Sequence, residues 1–321
     1  MLLGSVVCCD GFALHPVRVI THVHDDHIRD FETSLHNHDA ILMLPATKDL
    51  LFAIKGKAGM EIRNNLISTE AGKPYQFRDV TINLSAANHM LGSSQVLVEH
   101  SDGYRLGYTG DFGWPVEPLR VDELVVDATY GNPAYVRSYG EDQVVEEFVA
   151  LVSDQVRQGR RVCIKAYLGR LQLAMQLLQQ KVRVPFLAGK KQASIADVYR
   201  QYGMLFELII PRYGDEGRAI AHSREPFIGF HHLAERVPET EYDCTIYVSS
   251  FMVPLEAPVI QTAPNHYRVA LTDHADFNQT LEYISLARPK KIILDNSRGG
   301  DAWTLAEEIR ARLNLPATIG G

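Results

Sequence analysis

"ITHVHDDHIRDF", residues 20–31, packs three histidines and three aspartates into one short run directly after the apolar positions Val17, Val19 and Ile20. His22 and His24, two apart where a strand ends, can point the same way and meet at a single ion. Asp26 and His27 follow at once and can turn toward a second ion nearby. Imidazole nitrogen and carboxylate oxygen suit zinc, with manganese or iron as alternatives. A His/Asp-rich turn can also be a plain solvated loop, but four coordinating residues within the six positions of "HVHDDH" favour metal. Further candidates stand at later strand ends, His89 in "AANHMLGSS" and Asp111 in "YTGDFG". Asp25 and Asp30 are left to solvent or local capping, and His36 and His38 to a surface loop.

The rest of the chain bounds what such a site can serve. At 321 residues with 46% hydrophobic content, the chain can bury a large core or two smaller ones. A net charge of -7 excludes a surface coated with positive charge, so a nucleic-acid partner would have to be met by a local basic patch. No apolar run approaches the ~20 residues of a membrane helix. "MLLGSVVCC" lacks a basic n-region and cleavage pattern, so a cytoplasmic protein is expected, or a nuclear one in a eukaryote. Cys8, Cys9, Cys163 and Cys244 show no CxxC spacing and read as buried, reduced thiols.

The first third reads as short strands joined by turns, among them "VRVITH", "AILMLP", "YQFRDVTINLSAA" and "DELVVDATY", with Asp102-Gly103 as a hairpin turn. Near Gly140 the texture changes. "EDQVVEEFVALVSDQVRQG" sets Val144, Val145, Phe148, Leu151, Val152 and Val156 on one helical stripe, with Gly159 where a helix ends. Strand "RRVCIKAY", helix "RLQLAMQLLQQ", strand "PFLAG" and helix "QASIADVYRQYG" then alternate as βαβ units do. The end returns to strand, helix, strand, helix. A middle domain near residues 132–255, inserted into a larger one, accounts for this better than two consecutive domains.

Taken in order, "HVHDDH", "NHMLGSSQV" and "YTGDFG" resemble the metallo-β-lactamase superfamily over essentially the whole chain. "VVDATYG" at 125–131, "YLGRLQ" at 167–172 and "LTDHADF" at 271–277 are similar to its β-CASP nuclease branch, in particular ligase-associated DNA exonucleases and Artemis-like nucleases. The resemblance implies a four-layer αββα metallo-β-lactamase sandwich, formed by residues 1–131 and 256–321 as the catalytic domain, with a β-CASP α/β domain inserted over 132–255. It implies two divalent ions, zinc foremost and manganese as the alternative. His22, His24, His89 and a bridging Asp111 would hold one; Asp26, His27 and the same Asp111 would hold the other. Asp10 matches an early aspartate that supports a ligand histidine from behind, although a turn residue before Gly11 is an equally simple reading.

The same resemblance implies hydrolysis of a phosphodiester by a metal-activated hydroxide, with Asp127 and His274 as the pair that protonates the leaving group. Asp26 joins them as a catalytic residue. In "YLGRLQ", Gly169, Arg170 and Gln172 stand at a strand-to-helix junction, where backbone N–H groups and an arginine can hold a substrate phosphate. Without the resemblance Arg170 reads equally well as a first-turn surface residue. "RQGRR" and Lys165 add local positive charge, and "SSFM" at 249–252 resembles a small-residue segment that passes the active site.

One departure matters. Where relatives often carry a late histidine on a strand end, this chain has "KKIILDNSRGG", with Asp295 and Asn296. Asp295 could ligate the second metal or cap a turn. Artemis-like DNA nucleases also lack that histidine, which tilts the reading toward DNA over RNA. The leading expectation is therefore a metal-dependent DNA exonuclease acting in DNA repair, with DNA-repair proteins as partners. An RNA-processing β-CASP ribonuclease is the alternative. A small-molecule metallo-hydrolase would not need the inserted domain, and a non-catalytic binding subunit would be expected to have lost its ligands first.

Overall fold

The computed structural model describes every residue except 58, 59, 61, 206–208, 250–254 and 321. The chain divides into two units, Met1–Val136 with Asp273–Gly321, and Arg137–Thr272.

In the first unit, strands β1 (Leu2–Leu3), β2 (Val7–Cys9), β3 (Val17–Val19), β4 (Ala40–Met43) and β5 (Leu66–Ser68) form one sheet in that order. Between them lie helices α1 (Phe31–Asn37) and α2 (Pro45–Lys55). Neither was read from the sequence, where this third is strand and turn throughout. Helix α1 starts at Asp30 in the left-handed region, with no side-chain cap, and α2 starts at Leu44-Pro45 without a polar cap. Asp30 with Glu32 and Pro45 do stand at helix starts, but neither helix has a side-chain capping bond and both are short. Strands β6 (Tyr75–Phe77), β7 (Val80–Ala86), β8 (Ser94–His100), β9 (Arg105–Tyr108) and β10 (Glu123–Asp127) begin a second sheet. The Asp102-Gly103 turn joins β8 to β9, with Gly103 at φ +85.

The second unit alternates helix and strand. Helix α3 (Glu141–Arg157) buries Val144, Phe148 and Val152, the core of the stripe seen in the sequence. It is followed by β11 (Val162–Ala166), α4 (Arg170–Gln179), β12 (Phe186–Ala188), α5 (Lys190–Gln201), β13 (Ile210–Pro211), α6 (Asp215–His222), β14 (Ile228–His232), β15 (Cys244–Val248), β16 (Val259–Ala263) and β17 (His266–Val269). The sheet is ordered β13-β12-β14-β11-β15-β17-β16 and is parallel except for β16. Residues 256–272, expected with the larger domain, fall in this unit, where β17 pairs in parallel with β15 and β16 with β17.

The chain then returns to the first unit as α7 (Phe277–Ala287), β18 (Lys291–Asp295), α8 (Ala302–Leu313) and β19 (Ala317–Gly320). The second sheet of that unit runs β19-β18-β10-β9-β8-β7-β6. Its two faces are both buried, as the period-2 pattern of a covered sheet requires. Val80, Val96, Val98, Tyr108 and Val125 pack on Val7, Cys9, Val17, Val19 and Leu42 of the first sheet. Leu124, Val126, Ile292 and Leu294 pack on Phe277, Leu281, Ile284, Leu305 and Ile309 of α7 and α8. On the far side of the first sheet, Arg18 reaches Ser34 of α1. Helix, sheet, sheet and helix follow one another, compatible with the α/β sandwich expected. No described helix is long and apolar enough to cross a membrane. All four cysteines are buried and unpaired.

Candidate metal centre

Strand direction brings the candidate residues to one edge. In the second sheet β9, β10 and β18 are parallel, and β7 runs with β9 because both are antiparallel to β8. Their carboxyl ends deliver His89, Asp111, Asp127 and Asp295. Parallel β2 and β3 deliver Asp10 and His22, and the Ser94 amide donates to the Thr21 carbonyl where the two sheets meet. At Gly113, a Cβ would lie 2.1 Å from the Asn88 carbonyl oxygen, so only glycine lets the Asp111 loop pack against the His89 loop.

Two buried groups hold the 20–30 loop in shape. The Arg18 guanidinium donates to the carbonyls of Asp10, His27 and Arg29 and to Ser34 Oγ. Asp10 accepts from the Thr21 amide at 2.8 Å, the Thr21 hydroxyl at 2.9 Å and His27 Nδ1 at 2.9 Å. Burial works to raise the Asp10 carboxyl, but His27 outweighs it and holds the group low. His27 Nδ1 donates to Asp10 and Nε2 faces Asp111; burial works to lower the ring, but Asp111 and Asp10 prevail and hold it well above the ordinary imidazole range.

His22, His24, His89 and Asp111 converge, their donor atoms all within 4.8 Å of one another. His22 Nε2 lies 3.0 Å from His24 Nδ1, which lies 3.3 Å from His89 Nε2. These separations match the edge of a tetrahedron around zinc, about 3.3 Å for bonds of about 2.05 Å. Asp111 Oδ2 stands 3.7 Å from His22 Nε2, 3.9 Å from His89 Nε2 and 3.4 Å from His27 Nε2. His89 Nδ1 donates to the Asp273 carbonyl at 2.9 Å, which directs Nε2 inward. Burial pushes His22 well below the ordinary imidazole range and His89 down to about 4, so their lone pairs are available. Three basic nitrogens facing one carboxylate fit a divalent ion.

Beside this set, His274 Nδ1 donates to Asp127 Oδ2 at 3.1 Å, and the His89 and His274 rings are 4.5 Å apart. Burial pulls His274 down, but the Asp127 bond prevails and lifts it to about 9. Asp127 is itself held by the Thr129 amide and hydroxyl. His89, Asp273 and His274 form a second donor group, and Asp26 and His27 belong to neither group among the described residues. Asp295 is the last residue of β18, before the turn that follows it. Its Oδ1 accepts from the Ser297 amide and hydroxyl, and its Oδ2 from Tyr108 and Arg298.

A protein of Acidianus ambivalens named "Uncharacterized protein in lig 3'region" is 36% identical over 139 residues, which cover 41% of this chain and 96% of that protein. This chain belongs to the family of that protein. Two weaker matches are to larger proteins. A "Probable DNA ligase" of Opitutus terrae is 22% identical over 320 residues, 92% of this chain but 29% of the ligase. A "Transcription termination factor FttA" of Methanothermobacter thermautotrophicus is 28% identical over 116 residues, 33% of this chain and 18% of the factor. The chain thus spans less than a third of either protein. These weak matches support the metallo-β-lactamase and β-CASP superfamily as a distant relation of the family. No family model matches the chain. The crystal structure of a protein of unknown function from Enterococcus faecalis V583 shares the fold, with a TM-score of 0.63 at 13% identity over 95% of this chain and 79% of that one.

The remaining expectations concern the second unit. Gly169 starts α4 with φ +87, and its amide donates to Gln172 Oε1 at 2.9 Å, so the fully buried Gln172 caps its own helix. Arg170 is 5% exposed and its guanidinium lies 5.6 Å from the Tyr167 ring. Arg161 is paired with Asp243 through two nitrogens, and Lys165 donates to the Glu235 carbonyl, so much of the charge in this stretch is engaged. Of "SSFM", only Ser249 lies within the described residues, and it is buried. His36 is exposed as expected, whereas His38 is buried and contacts Cys8 Sγ at 3.5 Å. Sequence reasoning passed over Arg18, Asp273 and Arg298. The signal for Arg18 was an arginine between two valines of a strand, and that for Asp273 its place beside His274 in "LTDHADF"; Arg298 carries no local mark.

Proposed function

We propose that this chain is a metal-dependent nuclease that hydrolyses phosphodiester bonds, with exonucleolytic trimming of DNA favoured. The reading rests on one observation: the four-donor set of His22, His24, His89 and Asp111 stands beside the His274–Asp127 pair. When bound to such donors, a divalent ion supplies Lewis acidity toward a phosphoryl oxygen and a nucleophilic water near neutral pH. The chain's own residues do the rest. The Asp273 carbonyl and Asp10 fix the tautomers of His89 and His27. Asp127 orients His274, whose second ring nitrogen can hand a proton to the departing oxygen. In this reading residues 1–136 and 273–321 form the metallo-β-lactamase-like catalytic unit, and 137–272 the β-CASP-like insertion.

DNA is favoured by the relatives named for a ligase and for a lig region, and by the absence of a late histidine after β18. Proteins of DNA ligation and repair are the partners this implies. The termination-factor relative supports RNA processing as the second reading. A digestion panel tests both: end-labelled DNA and RNA, with free or phosphorylated 5′ ends, in zinc and in manganese. Progressive loss of DNA from one end is expected. Cleavage of RNA alone would select the second reading, and no hydrolysis under any metal would end both.

A further inference from the structure

Strand β18 ends on Asp295, in register with Asp127 of β10, and the turn beyond it brings Arg298 back toward the 20–30 loop. The Arg298 side chain is 15% exposed. Its Nη1 donates to Asp295 Oδ2 at 2.6 Å and to the Tyr108 hydroxyl at 3.1 Å. Its Nε lies 3.6 Å from Asp26 Oδ2 and has no hydrogen-bond partner. Asp26 Oδ2 therefore faces His27 Nε2 at 3.3 Å and a fixed guanidinium as well.

Asp26, His27 and Asp111 are the donors a second ion would need, with Asp295 as a fourth. Asp111 Oδ2 is already shared with the first set, within 4 Å of His22 and His89. Both oxygens of Asp295 are engaged by Ser297, Tyr108 and Arg298. A divalent ion held by Asp26 would meet the guanidinium across the same carboxylate, and although Asp26 is 40% exposed, two like charges sharing one carboxylate a few ångströms apart repel. An arginine cannot lose its charge to relieve this.

Resting on the metal reading above, we infer that the chain holds one divalent ion, at His22, His24, His89 and Asp111, and that Arg298 stands in place of a second. The guanidinium neutralises Asp26 and Asp295 and leaves a fixed positive charge where a second ion would stand. It cannot acidify water, so all metal chemistry falls to the single ion.

The test counts ions. The full-length chain is stripped with a chelator, reloaded with excess zinc and in parallel with manganese, freed of unbound ion, and measured by native mass spectrometry, whose charge-state distribution also reports folding. One ion per chain is expected for the native sequence and for Arg298→Lys, none for His22→Ala, and two for Arg298→Ala. Because Arg298→Ala leaves Asp295 buried without its cation, the double variant Arg298→Gln with Asp295→Asn carries the test if the single one does not fold, and two ions are expected there too. Two ions in the native chain, or one in every folded Arg298 variant lacking the positive charge, would overturn the inference. A native chain that binds no ion overturns it together with the metal reading. One ion with no cleavage of DNA or RNA leaves it standing and removes only the nuclease reading.

Discussion

Each unit buries histidines, and the two solutions differ. In the second unit His231 is 2% exposed, with Nε2 2.7 Å from the Tyr242 hydroxyl and Nδ1 2.9 Å from Glu235 Oε1. Both ring nitrogens have partners of complementary kind, so the ring is a closed element of the core. In the first unit His22, His24 and His89 turn nitrogens toward one another at 3.0 and 3.3 Å. With His22 and His89 held unprotonated by burial and His89 Nδ1 donating to Asp273, the three facing nitrogens can share only one hydrogen between them. Such an arrangement is costly in itself, and is kept in place by Arg18, Asp10 and the Asp273 carbonyl around it. Buried polarity that satisfies itself points to structure; buried polarity that converges on one point and is held there from outside points to a ligand.

The sharpest way to break this comparison is to remove one ring from each system. His24→Gln should lower nuclease activity roughly a thousandfold, several kcal/mol of transition-state stabilisation, while the metal-free chain unfolds in denaturant within about 1 kcal/mol of the native one. His231→Ala should do the reverse. It should lose about 2–3 kcal/mol of folding stability through the orphaned Glu235 and Tyr242, with activity per folded molecule unchanged. If both variants fail in the same way, the two systems are not distinct. Next in size, His274→Ala should lower turnover by about 10²–10⁴ with bound metal retained. Loss of metal instead would make His274 a ligand, as its grouping with His89 and Asp273 allows. Asp10→Asn should weaken metal affinity about 10–100-fold through Thr21, which Asp10 holds beside His22 Nδ1; chelator competition reads this, and an unaltered affinity would remove Asp10 from the support of His22.

What was legible in advance follows the range of the interactions involved. Candidate ligands in the 20–31 run are near one another in sequence, so their spacing alone pointed to metal. Helices α3, α4 and α5 bury periodic stripes that any window displays. Helices α1 and α2 were missed because one opens on a left-handed aspartate and the other on Leu44-Pro45, and neither has a side-chain cap. The extent of the second unit depends on β17 joining β15, a pairing register that no local pattern encodes. His38 looked like a loop residue but closes α1 against Cys8. Arg298 meets Tyr108 and Asp26 from far along the chain, and only tertiary structure makes it part of the site.

Arg170 sharpens the comparison from the other side, since the family resemblance puts it at a substrate phosphate and the fold packs it, 5% exposed, by Tyr167. Arg170→Ala should lower thermal stability and leave the salt dependence of DNA binding unchanged. A slope reduced by about one would restore it as a phosphate contact.

The smallest effect expected is on the pH dependence of stability. Burial lowers the pKa of His231 against the pull of Glu235. A histidine in the unfolded chain titrates near 6.5, so as pH falls through that value the unfolded state takes up a proton that the folded state resists. Protons bound preferentially by the unfolded state mean that stability rises with pH. The contribution of neutral His231 is therefore complete above about pH 6.5 and declines below it. Denaturant unfolding of the chelated chain from pH 7.5 to pH 5 should fall more steeply for the native sequence than for His231→Gln, which keeps a polar side chain but has no titrating ring. The chelated metal-site histidines titrate identically in both proteins, so the difference between the curves isolates His231. Parallel curves would mean that its hydrogen bonds hold equally well when the ring is charged, and that the second unit's histidine is no more closed than those of the first.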